Sequence, residues 1–256
     1  MALALDLNKA EQGLRLSLKK AGIITPPQVD LAFNLDVSGS FDDEHRNGLT
    51  NELLVRLVPW GMVFDPDKKM EVFTFSDGPS RVHHVGDVTP GTCDDYVRLK
   101  IIERVPGYNG GTDYSYVLER NLEHFGWKPT TSAVQPKRGI FGGFFGGGKS
   151  TPSQSTEKKR SIVIHVTDGE IGGDKRDEAR TERVLADSEA RQDGVYFLFL
   201  GVSNQPSKFE FIERLGDRFD NVGFVSIRDV GEWVKQSHDD INQALLGDEL
   251  LAWLKS

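Results

Sequence analysis

The sequence is short of cysteine, of long apolar runs and of basic charge, and each shortage removes a class of protein. One cysteine, Cys93, in 256 residues cannot form an intrachain disulfide, so the chain reads as suited to a reducing compartment. No uninterrupted apolar stretch approaches the ~20 residues of a membrane-spanning helix. Leu3 to Leu7 is too short for the apolar core of a secretion signal and is followed by charge, so the expected location is cytoplasmic. The 31 basic residues fall behind 39 acidic ones, and the net charge of −8 argues against general attraction to nucleic acid or an anionic membrane. No nucleophile has an evident base partner, so no catalytic residue is assigned and the chain is not read as an enzyme.

What is present is the pattern of one large α/β domain. Its length suffices for a substantial core, and 38% hydrophobic with 27% charged residues is ordinary for a globular chain. Residues 1–27 read as a leader packed on a single domain over 28–256, with a long insertion at about 127–159. Within the leader, Asn8 to Glu11 has the spacing of a capping box and Gly22 is a plausible stop. An extended alternative uses the alternation Leu3, Leu5, Leu7. Residues 29–35 form an apolar run fit for a buried strand. Leu49, Leu53, Leu54, Leu57 and Val58 then fall at helical spacing, ending near Pro59. Strands are expected at 70–75, 80–85, 161–167, 195–201 and 222–226. Helices are expected at 94–103, 114–125, 175–191, 208–215 and 229–245, with a closing apolar segment over 249–255. This alternation predicts a doubly wound, mostly parallel central sheet with helices on both faces.

The stretch with chemistry in it is Asp36-Val37-Ser38-Gly39-Ser40, where the first strand gives way to the acidic helix opening Asp42-Asp43-Glu44. A carboxylate and two hydroxyls at such a turn suit a small hard cation, and open α/β sheets bind ligands at this edge. Gly110-Gly111-Thr112-Asp113 precedes a helical pattern and offers another hydroxyl. Thr167-Asp168-Gly169 lies at the end of a second core strand. The bland alternative is that Asp36 and Ser38 only cap the next helix.

These residues resemble the metal-ion-dependent adhesion site of von Willebrand factor A domains, Asp-x-Ser-x-Ser followed by a distant Thr and a distant Asp. The metal positions would be Asp36, Ser38, Ser40, Thr112 and Asp168. A closer resemblance, to the bacterial A domains of tellurite-resistance (Ter) stress proteins, rests on residues 57–65, on Met70 to Phe75, on Gly110 to Tyr114 and on Lys19 to Ile23. The resemblance implies Mg2+ (or Mn2+ or Ca2+) held directly by Ser38 and Ser40, with Asp36 and Asp168 neutralising charge and orienting water. Thr112 would engage only in some conformations. It also implies a protein-interaction module whose partner, in a Ter-type stress system, supplies an acidic side chain to the metal. The competing class is a phosphotransferase or hydrolase using the same cation.

Three other features bear on function. Gly143 to Ser150 matches the phosphate-loop pattern GxxxxGK[ST], but it lacks the flanking strand and helix that loop needs, and no nucleotide is assigned. Phe141, Phe144 and Phe145 stand in a Gly-rich stretch where residues 135–160 carry six basic residues against one acidic. Such a segment, over 137–149, suits contact with a partner groove or a membrane surface, against the plainer reading of an unstructured insertion. His83 and His84 would point to opposite faces of a strand. The other histidines are scattered, with His165 a packed core residue.

Overall fold

The computed structural model describes residues 2–129, 159–169, 175–203 and 209–256, with side chains from Asp6 onward. Among the described residues six strands form one sheet: β1 (Val29–Asp36), β2 (Met70–Phe75), β3 (His83–Val88), β4 (Arg160–Thr167), β5 (Val195–Val202) and β6 (Val222–Ile227), in the order β3-β2-β1-β4-β5-β6. All neighbours are parallel except β2 and β3. The doubly wound, mostly parallel sheet expected from the alternation is present. Every residue of β5 is buried, as a strand covered on both faces requires.

The helices are α1 (Ala2–Lys20), α2 (Asp42–Arg46), α3 (Leu49–Phe64), α4 (Tyr96–Lys100), α5 (Tyr114–His124), α6 (Lys175–Ala190), α7 (Glu210–Arg218), α8 (Val230–Trp233), α9 (His238–Leu245) and α10 (Asp248–Lys255). The period-two alternation of the strands divides the apolar residues between two cores. Leu31, Phe33, Leu35, Ile162, Ile164 and Leu200 face α1, α3 and α8–α10, where Leu14, Leu18, Leu57 and Trp60 meet them. Ala32, Phe73, Phe75, Val163, Phe197 and Phe199 face α5–α7, where Tyr114, Leu118, Leu185 and Leu215 meet them.

The leader is helical, but α1 opens at Ala2, so the Asn8 to Glu11 spacing lies inside the helix rather than at its start. Three further expectations needed correction. Helix α3 does not end near Pro59 but runs on to Phe64. Proline in a helix interior costs about 3 kcal/mol, yet Trp60 and Phe64 beyond it are 0% and 1% exposed. Burying two such rings returns roughly 2–3 kcal/mol each, so packing outweighs the local penalty. Gly61 in the same stretch lets the helix ride against the start of β2, because a Cβ there would stand 2.8 Å from the Lys69 carbonyl oxygen. The strand expected over 80–85 lies at 83–88, since Pro79–Arg81 forms a 3-10 turn. The helix expected over 229–245 is split into α8 and α9, because the Ser237 hydroxyl accepts the Asp240 N–H at 3.2 Å and opens a new helix. Most of the insertion at about 127–159, including the Gly143 to Ser150 motif, lies outside the described residues.

Candidate metal centre

β1 and β4 are paired in parallel with Asn34 opposite His165 and Leu35 opposite Val166. That register brings Asp36 and Thr167 side by side at the carboxyl ends of the two central strands. Here β2 lies on one side of β1 and β4 on the other, so connections leave in opposite directions and a crevice opens at the strand ends. The Gly107–Thr112 segment closes one side of it. Asn109 N–H donates to the Val37 carbonyl at 2.8 Å, Gly39 N–H donates to the Gly110 carbonyl at 2.9 Å, and Ser38 and Gly110 form an isolated parallel bridge. The close approach leaves little room for a side chain: a Cβ on Gly110 would stand 2.8 Å from both Asp77 Oδ1 and Ser76 Oγ, which would have to shift.

The five residues singled out by the sequence converge. Asp36 Oδ1 accepts the Ser38 N–H at 2.9 Å, and its Oδ2 accepts the Thr112 hydroxyl at 3.2 Å. The Ser38 and Ser40 hydroxyls lie 3.3 Å apart and donate to Asp168 Oδ1 at 3.5 and 2.9 Å. Asp36 is fully buried, Ser38, Thr112 and Asp168 are buried, and Ser40 alone opens to solvent. Capping alone does not account for Ser38, whose side chain makes no capping hydrogen bond to the backbone of the turn that follows it. A pocket of about 310 Å³ opens beside Ser40 and Asp168, with Glu44, Ser203 and Arg228 on its walls.

Two further residues belong to the constellation, and local sequence pattern marks neither as a ligand. The Thr167 hydroxyl donates to Asp36 Oδ2 at 2.6 Å; its place beside Asp168 at a strand end was the available signal. His45, on α2, sets Nε2 against the Asp36 carbonyl oxygen and Nδ1 against the Thr50 hydroxyl, each at 3.0 Å. Burial pushes the His45 pKa down to about 4, so its ring is neutral at pH 7 and braces the turn. Phe141, Phe144 and Phe145 lie outside the described residues.

The electrostatics fit a cation. Burial pushes the Asp36 carboxyl up to about 7; hydrogen bonds from Thr167 and Ser38 oppose the shift, and the charge of Asp168 adds to it. Among the described residues its carboxylate is met by two hydroxyls and a backbone N–H, with no Lys or Arg. Two nearly buried carboxylates surrounded by hydroxyls make an all-oxygen donor set, the preference of Mg2+, Mn2+ and Ca2+. A cation there would favour the ionised form that burial disfavours.

No protein-family model matches the chain, and no curated protein matches it in sequence. Its fold is similar to several solved structures. Proximal thread matrix protein 1 from the mussel byssus aligns with a TM-score of 0.52 at 17% identity, over 90% of this chain and 48% of that one. The pilus adhesin SpaC from Lactobacillus rhamnosus GG aligns at 0.49 and 13% identity, over 86% and 30%. The ArnB paralog VWA2 from Sulfolobus acidocaldarius aligns at 0.45 and 14% identity, over 82% and 44%. The chain spans less than half the length of each. The likeness is one of fold.

Proposed function

We propose that this chain is a divalent-metal-dependent protein-interaction module of the von Willebrand factor A type. The observation that supports it most directly is the joining of Asp36, Ser38, Ser40, Thr112 and Asp168 into one hydrogen-bonded group at the carboxyl end of the sheet. In this reading Ser38 and Ser40 hold Mg2+ (or Mn2+ or Ca2+) through their hydroxyls, Thr112 engages it only in some conformations, and Asp36 and Asp168 balance its charge. The bound ion supplies an electrophilic position able to take a carboxylate. The pocket beside Ser40 admits an acidic side chain from a protein partner, and Arg228 on its wall has the complementary charge. Membership of a Ter-type stress-resistance system rests on the sequence resemblance alone. A cytoplasmic setting rests on the single cysteine alone.

The enzyme alternative has less in its favour. His45, the histidine beside the site, has both ring nitrogens engaged, by Thr50 and by the Asp36 backbone. It is therefore not placed as a general base.

The deciding experiment is calorimetric titration of the metal-stripped protein with Mg2+, Mn2+ and Ca2+, beside a Ser38→Ala, Ser40→Ala double variant. Saturable binding of one ion per chain, lost in the double variant, is the expected result. Equal metal affinity in the two proteins would sink the reading.

A further inference from the structure

A second group of metal-ligating side chains sits on the α5 face of the sheet, away from Asp36, where the edge strand β3 meets the end of α5. Its assembly depends on an irregularity. Pairing of β2 with β3 runs Glu71 to Asp87 and Val72 to Gly86, then shifts, so that Phe73 faces His84. Without the shift, the regular count would set Val85 opposite Phe73 and turn His84 to the other face. With it, His84 shares a face with Phe73, and Glu71, two residues from Phe73, points the same way. Helix α5 packs on this face and delivers His124 as its last residue.

The three side chains converge on one oxygen. His84 Nε2 lies 2.9 Å and His124 Nε2 2.8 Å from Glu71 Oε2, and the two imidazole centroids are 4.9 Å apart. One ligand atom from each residue falls within 4.8 Å of the others. The rings are held from the side: Phe73 stacks on His84 at 4.6 Å and meets His124 edge-on at 5.2 Å. Lys69 Nζ occupies the other Glu71 oxygen at 3.1 Å and also reaches Asp87 at 3.1 Å, which fixes the direction of the carboxylate. Glu71 keeps 17% exposure, His84 33% and His124 26%, so the group is open to ions from solution. A pocket of about 490 Å³ lies alongside, bordered by His83, His84, Tyr116 and Arg120.

We propose that Glu71, His84 and His124 form a binding site for zinc or a neighbouring late first-row divalent ion, separate from the oxygen-lined site at Asp36. Two imidazoles and one carboxylate are a zinc donor set that leaves a fourth position open to water or a partner ligand. At metal–ligand distances of about 2.0–2.2 Å, tetrahedral ligands stand roughly 3.3 Å apart. Both nitrogen–oxygen separations are already near that length, so small ring movements would admit the ion in place of the bridging protons. A neutral imidazole and an ionised carboxylate are the forms that coordinate a metal. The Lys69 contact has the place of an outer partner that orients a ligand. An ion there would tie the edge strand to α5.

The test is zinc titration of the metal-stripped full chain against a chromogenic chelator, with the thermal midpoint followed in parallel. His124→Ala and His84→Ala are compared with the parent and with the Ser38→Ala, Ser40→Ala variant, and far-ultraviolet circular dichroism checks each fold. The expected result is one zinc per chain and a zinc-induced rise in Tm. Each histidine variant should bind at least about a hundred-fold more weakly, more than an outer-partner change usually costs. The serine variant should bind zinc as the parent does. Glu71→Gln, which keeps the shape of the side chain, should weaken zinc binding as well. Cobalt substituted into the parent should give a visible absorption spectrum that His124→Ala abolishes. Absence of stoichiometric zinc binding in the parent, or unchanged affinity in the folded His84, His124 and Glu71 variants, overturns the proposal.

Discussion

The Thr167 hydroxyl donates to Asp36 across 131 positions of sequence, at 2.6 Å, shorter than the contact Asp36 receives from Thr112 at 3.2 Å. Thr167 therefore helps to orient the Asp36 carboxylate. In the proposed metal site it acts through Asp36, as an outer partner. Thr167→Val should weaken Mg2+ binding by roughly 10- to 100-fold, whereas Thr167→Ser should preserve it. Calorimetry on both variants checks this, and equal weakening in both would assign the effect to packing.

Replacing Gly110 with Ala should damage the same centre from the other side. The new methyl would collide with Ser76 Oγ and Asp77 Oδ1, each 2.8 Å away, and with Arg81 Nη1 at 2.9 Å. Either these side chains swing aside or the loop moves outward, taking Thr112 with it. Overpacking of this kind costs about 1–3 kcal/mol, read as a lower midpoint in urea, and metal affinity should fall with it.

His165 predicts a pH dependence of stability. It is fully buried, stacked on Phe199 at 4.6 Å and hydrogen-bonded to Asn34, and burial pushes its pKa down to about 3. The unfolded chain takes up the proton near pH 6.5 and the folded chain does not. Stability from this group is therefore complete above about pH 6.5 and falls as the pH drops toward 3, by up to about 1.4 kcal/mol per unit. His165→Gln should flatten the urea midpoint between pH 6.5 and 4 relative to the parent. Parallel curves for the two proteins would count against the assignment.

Asp113 joins α5 to α6. Its carboxylate accepts the Ser115 N–H at 2.9 Å as the cap of α5, and it pairs with Arg180, which also meets Asp177 at 3.2 Å. Asp113→Ala removes the cap and one partner of a part-buried guanidinium. A loss of about 2–3 kcal/mol is expected in chemical denaturation. Asp113→Asn, which keeps an accepting oxygen, should recover part of it.

Local pattern carried much of this molecule. Apolar runs bounded by turn residues located β1, β4 and β5. The Asp36–Ser40 spacing, the place of Thr112 in the loop before α5 and the strand-end position of Asp168 marked a group that the fold does join. Both rest on information contained within a few residues: side-chain periodicity, turn chemistry and donor type. The continuation of α3 past Pro59 was illegible locally, because the proline penalty is local while the burial of Trp60 and Phe64 that offsets it belongs to the whole core.

The Glu71–His84–His124 cluster depended on still longer-range relations. Alternation along β3 correctly separates His83 from His84, but it does not say which face His84 takes, because that depends on a register shift against β2. Nor does it show that the end of α5 comes to rest above that face. Residue types and spacings along the chain are enough to name candidate ligands for an ion. Whether two of them share a face is settled by strand register and helix packing, which arise from burying apolar surface across the whole domain.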